Sequence, residues 1–117
     1  PGPTSIRREF KVQPAARLGI SASRYKVRAG DPVTIRGRVV RKDTGRGVAD
    51  IPVRLQWRKA ARGSQWNLLT TRTSDAYGRV TGRFVRRVTG YYRLVSPGVL
   101  GKIGPSRSAA LKVTVRR

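Results

Sequence analysis

From Leu18 onward the chain runs in short segments where apolar and polar residues alternate. Leu18, Ile20 and Ala22 share one side of the first segment. In Val33–Val39 the apolar set lies on one side and Thr34, Arg36 and Arg38 on the other. Ile51–Lys59 repeats the pattern, with Val53, Leu55 and Trp57 inward and Arg54, Gln56 and Arg58 outward. In Arg79–Arg87, Val80, Gly82 and Phe84 oppose Arg79, Thr81, Arg83 and Val85. Tyr92 and Leu94 oppose Tyr91, Arg93 and Val95. Leu111, Val113 and Val115 oppose Lys112, Thr114 and Arg116. A period of two is the mark of a half-buried strand, because successive side chains leave a strand on opposite faces. Gln65–Thr73 also reads as a strand, but its neighbours Leu68 and Leu69 fall on opposite faces.

Turn residues separate these segments. Asp31-Pro32, Asp43–Gly47, Ala61–Ser64, Asp75–Gly78 and the glycine-rich stretch Pro97–Pro105 are loops. The result is about seven short strands with no helical period and no internal repeat, the pattern of a sandwich or barrel. One apolar face per strand implies antiparallel pairing with the other face in water. Residues 1–16 contain three prolines and no strong period. They read as a basic arm or linker, with a possible short strand at Arg7–Val12, ahead of a domain at 17–117.

Several residues have structural roles at this level. Trp57 reads as a core anchor. Gly37 and Gly82, on the apolar sides of their strands, leave room for a ring from the facing sheet, with Trp57 as candidate. Gly78 supplies the positive φ of a tight turn, and Asp75 bonds the amides beyond it. A calcium ligand at Asp75 is disfavoured, since calcium wants several clustered carboxylates.

The order of these pieces resembles the bacterial Ig-like domains of secreted and surface proteins, especially those of actinobacteria. The matching stretches are Arg28–Gly37, with Val33-Thr34-Ile35 after Ala29-Gly30, and Gly47–Gln56, with Pro52-Val53-Arg54-Leu55-Gln56. They continue through Gly63–Thr71 around Trp66, Thr73–Arg79 around Asp75 and Gly78, Gly90–Leu94, and Ser106–Val115. The resemblance spans roughly 17–117 and implies an antiparallel Ig-like β-sandwich. It also implies an extracellular or cell-surface setting as a spacer or adhesion module. No family-wide ligand residues exist to transfer.

Charge changes the picture. Among 117 residues, 27 are Lys or Arg and 5 are Asp or Glu, a formal net charge of +22. Arginine far outnumbers lysine. Codon bias explains arginine over lysine but not the scarcity of acids. The alternation sends Arg36, Arg38, Arg79 and Arg83 to the outside of one sheet. Arg54, Arg58, Arg93, Lys112 and Arg116 go to the outside of the other. These nine are the candidate polyanion-binding residues, because arginine forks match phosphate and carboxylate. Tyr91 and Trp66 are candidates for stacking on a ring.

The chemistry of catalysis finds little footing. The sequence has no histidine and no cysteine, and its five acids lie in the arm or in turns. No nucleophile elbow and no phosphate-cradling loop before a helix is present. The chain is therefore expected to be non-enzymatic, with no cofactor, metal or small-molecule substrate. It starts at Pro1 and shows no signal peptide, which reads as a processed product or a piece of a longer protein. Three roles follow as expectations. The first is an extracellular Ig-like interaction module docked on an anionic polymer or an acidic protein surface. The second is a coat or fibre subunit held by neighbouring copies or domains. The third is a non-specific nucleic-acid binder.

Overall fold

A computed structural model describes residues 14–117 of the chain. The region expected to hold a basic arm or short strand before Pro14 lies outside these residues. The described residues form nine strands and no helix: β1 (Ala16–Ala22), β2 (Lys26–Arg28), β3 (Pro32–Arg41), β4 (Pro52–Lys59), β5 (Asn67–Thr73), β6 (Arg79–Val85), β7 (Gly90–Ser96), β8 (Ser106–Arg107) and β9 (Leu111–Arg116). A smaller sheet has the order β1-β3-β6. A larger one has the order β2-β9-β7-β4-β5, with β8 also paired to β7. The chain is an all-β, Ig-like sandwich.

The alternation in sequence fills the space between the sheets. Leu18, Val33, Ile35, Val39 and Val80 face inward from the smaller sheet; Val53, Leu55, Trp57, Tyr92, Leu94 and Val113 face them from the larger. The seven strands legible in the pattern are all present. β2 and β8 are additions. β2 runs parallel to β9, pairing Val27 with Val115, so no hairpin signal announces it. β8 lies between the glycine-rich loop and the last strand, in a stretch without alternation.

Two packing expectations need correction. Trp57 does not fill the space beside Gly37 or Gly82. A methyl on Gly37 would run into Leu94, and one on Gly82 would meet Leu55 and the Phe84 ring. The Trp57 indole covers Gly90 instead, on the neighbouring strand of its own sheet. The reason is register. β4 and β7 are antiparallel neighbours, with Lys59 opposite Gly90, so the ring folds across that strand end. The ambiguity at Leu68 and Leu69 is resolved by a bulge. The β4–β5 register shifts between Leu55 and Gln56, leaving Leu69 half-buried and Leu68 exposed.

The turn at Asp75 forms as expected. Asp75 Oδ1 accepts from the amides of Tyr77 and Arg79, each at 2.9 Å, and Gly78 has φ 80°. The Asp75 carboxyl is held below its ordinary value of 3.8, chiefly by the Arg79 amide; desolvation opposes this, and the Tyr77 amide adds to the lowering.

Candidate anion-binding surfaces

The larger sheet sets out its outer residues in rows. Lys112, Tyr91 and Arg58 lie opposite one another across β9, β7 and β4. The next row holds Arg93, Gln56 and Leu68 across β7, β4 and β5. A third holds Arg107, Val95, Arg54 and Thr71. Trp66 stands immediately before β5 and covers the first two rows. The Arg58 guanidinium sits 4.7 Å from the Tyr91 ring centre and 5.3 Å from that of Trp66. Arg93 sits 4.3 Å from Trp66, and its Nε donates to Gln56 Oε1 at 2.7 Å. Two cations are thus laid on two aromatic faces, an attraction between charge and ring quadrupole.

Among the described residues this cluster has no carboxylate. The ion pairs among the described residues are Arg41–Asp43, Arg79–Asp75 and Lys102–Asp50, all elsewhere. Arg93 accordingly has its pKa pushed down, first by desolvation and then by the charges of Arg107 and Arg58. Each of these disfavours the charged form.

The outer face of the smaller sheet is built differently. Arg36 lies opposite Thr81, Thr34 opposite Arg83, and Arg38 directly opposite Arg79. Like charges across a strand pair repel. Here both members of the closest pair are tied to one turn. Arg38 Nε donates to the Tyr77 carbonyl at 3.0 Å. Arg79 Nε donates to Asp75 Oδ2 at 3.3 Å, and its guanidinium lies 4.7 Å from the Tyr77 ring centre. Among the described residues, Arg36 and Arg83 make no side-chain hydrogen bond or ion pair.

Of the residues singled out from sequence, Arg36, Arg38, Arg79 and Arg83 share the smaller outer face. Arg54, Arg58, Arg93 and Lys112, with Tyr91 and Trp66, share the larger one. Arg116 is on the outer side of β9 too, but opposite Arg28 and past the last β7 pair at Val113, so it does not join the cluster. Sequence reasoning missed Arg107 as a member of the larger face, because its short strand has no alternation. The sequence contains no histidine or cysteine. No group of three or more His, Cys, Asp or Glu among the described residues is placed to hold a metal ion.

No family model matches the chain, and no curated protein matches it. Solved structures do share the fold. A superoxide reductase (neelaredoxin) from Ignicoccus hospitalis aligns with a TM-score of 0.64 at 19% identity, over 85% of this chain and 80% of that one. A point variant of the same reductase aligns at 0.61 and 18% identity, over 83% and 79%. The D0-D1 domain of intimin aligns at 0.50 and 14% identity, over 84% of this chain and 46% of that one.

These likenesses correct one expectation. The role of a non-enzymatic extracellular module docked on an anionic polymer or acidic protein surface was inferred from an Ig-like sandwich. The same goes for its coat-subunit and nucleic-acid-binder alternatives. Two structures that share this sandwich over most of its length are reductases, so the architecture does not define such a role. The physical reason is that a sandwich is a scaffold, and function lies in the side chains grafted onto it. At these identities the likeness is one of fold.

Proposed function

We propose that the outer face of the larger sheet is a binding site for an anionic partner that carries stackable rings. The observation that supports this is the placement of Arg58 and Arg93 on Trp66 and Tyr91 without a carboxylate nearby. A guanidinium held flat on a ring is already ordered, so less conformational freedom is lost when an oxyanion arrives. A bound anion would also offset the repulsion among Arg58, Arg93 and Arg107. Trp66 and Tyr91 add a platform that any flat ring can use.

The test uses fluorescent oligothymidylate, which has rings and phosphates, beside linear polyphosphate, which has phosphates alone. Stacking on an aromatic side chain is worth about 1–3 kcal/mol per base. Trp66→Ala is therefore expected to weaken oligothymidylate roughly tenfold in anisotropy titrations, and polyphosphate far less. Full retention of oligothymidylate affinity in Trp66→Ala would sink the reading. Arg58→Lys should not restore an Arg58→Ser loss, because an ammonium has no plane to lie on a ring.

A further inference from the structure

We infer that the chain is bivalent, with a second, ring-free anion site on the opposite face of the sandwich that takes a run of phosphate groups. The inference rests partly on the reading of the larger sheet, since bivalency needs both faces. The second site rests on its own geometry.

Three shallow depressions join end to end over the smaller sheet, with volumes of about 600, 510 and 390 Å³. The first two share Asp75, Arg79, Val80 and Thr81; the second and third share Thr34 and Arg83. Together they form one trough that crosses β1, β3 and β6 and reaches Arg72 and Thr73 at the end of β5. Gly19 leaves open space at one end, where an added methyl would meet nothing within 4 Å. Ser21, Thr81 and Thr34 place hydroxyl donors along it, and arginines stand beside them.

No aromatic ring lines any of the three depressions. The Tyr77 ring beside it is engaged by Arg79, so the trough itself offers charge-assisted hydrogen bonds and no ring of its own. Asp31 and Asp75 line it too, but arginines outnumber them, so the net charge of the trough complements a chain of tetrahedral oxyanions. Arg36 and Arg83 have no partner among the described residues, so they are the cations that gain most from one. Arg38 and Arg79 are fixed by Tyr77 and Asp75, which holds them at a set spacing.

The two outer faces point in opposite directions, across sheets packed about 10 Å apart. A ligand on one face does not cover the other. The chain would then link a ring-bearing anion on one side to a run of phosphates on the other.

The experiment uses the full chain with two probes, linear polyphosphate and oligothymidylate. Arg36→Ser combined with Arg83→Ser removes two exposed side chains that tie nothing down, and an unchanged Tm confirms that the variant folds. Polyphosphate affinity is expected to fall about tenfold, with the slope of log affinity against log salt reduced by roughly one per arginine. Oligothymidylate affinity should stay within about twofold. Wild-type protein on immobilised oligothymidylate should retain labelled polyphosphate, and the double variant should not. Unchanged polyphosphate affinity in the double variant overturns the second site. Mutual displacement of the two probes from wild type overturns bivalency. If oligothymidylate does not bind at all, the larger-face reading and bivalency both fail, and the polyphosphate arm alone decides whether the trough exists as a site.

Discussion

On the larger sheet, Arg58 and Arg93 lie against Trp66 and Tyr91. On the smaller sheet, Arg36 and Arg83 have no side-chain partner among the described residues, while Arg38 and Arg79 are tied to the Asp75 turn. Both faces carry the same surplus of arginine, and they manage it by different physics. One uses ring quadrupoles, which steady a cation without neutralising it. The other adds a carbonyl and a carboxylate to a single ring, Tyr77, and with them fixes the closest like-charged pair. Excess charge of one sign is thus not one property of this protein. It becomes two surfaces of different make: Trp66 and Tyr91 hold two arginines of one, and the Asp75 turn with its Tyr77 ring holds two of the other.

The strongest way to break this comparison is to disturb what both faces share. Leu94 is fully buried and fills the space opposite Gly37 in the facing sheet. Leu94→Ala leaves a cavity that the sandwich can only partly close, at a cost of about 2–5 kcal/mol. Denaturant unfolding should show this loss, and both probes should lose affinity together. A variant that stays folded and loses one probe alone would show that the faces are mechanically independent.

A smaller effect is expected beneath the larger face. Tyr92 stacks on Phe84 at 5.9 Å between ring centres, but its hydroxyl is buried without a hydrogen-bond partner. Tyr92→Phe keeps the ring and removes the orphan, so stability should be unchanged or higher by about 1 kcal/mol. Burial also raises the Tyr92 pKa above its ordinary 10.0, with Arg86 opposing. The folded state therefore keeps its proton when the unfolded chain loses one. Wild-type stability should decline as pH rises past the ordinary tyrosine value, and Tyr92→Phe should remove that part of the decline. An alkaline stability profile identical in both proteins would contradict the assignment.

The smallest effect belongs to the turn under the trough. Asp75 has a depressed folded pKa, so its contribution is complete above the unfolded value of 3.8 and fades as pH falls through the folded one. Asp75→Ala should lower Tm slightly at neutral pH, and the difference from wild type should vanish in acid. The variant also frees Arg79, so polyphosphate should bind somewhat more tightly and oligothymidylate unchanged. Tighter binding of both probes would mean that the two faces share one electrostatic field.

Much of this was legible before the fold. The outward positions of Arg36, Arg38, Arg54, Arg58, Arg79, Arg83 and Arg93 follow from alternation, and all of them are outward. The turn chemistry of Asp75 and Gly78 was legible for the same reason, since it is local. What failed was nonlocal. Trp57 covers Gly90 rather than Gly37 or Gly82, Arg107 lies on a two-residue strand that no alternation marks, and Arg116 does not reach the cluster. The role expected of an Ig-like module was also more than such a fold can carry.

By itself, the amino-acid sequence determined seven of the nine strands among the described residues, which side of each of these meets water and the sign of the surface charge. These depend on neighbours one or two residues away. The tertiary structure alone decided which strands lie side by side. β4 beside β7 brought Arg58 to Tyr91, and the loop before β5 brought Trp66 over both Arg58 and Arg93. β3 beside β6 set Arg38 against Arg79. Such pairings are chosen by how well two sheets fill the space between them, and alternation along a single strand holds no record of that choice.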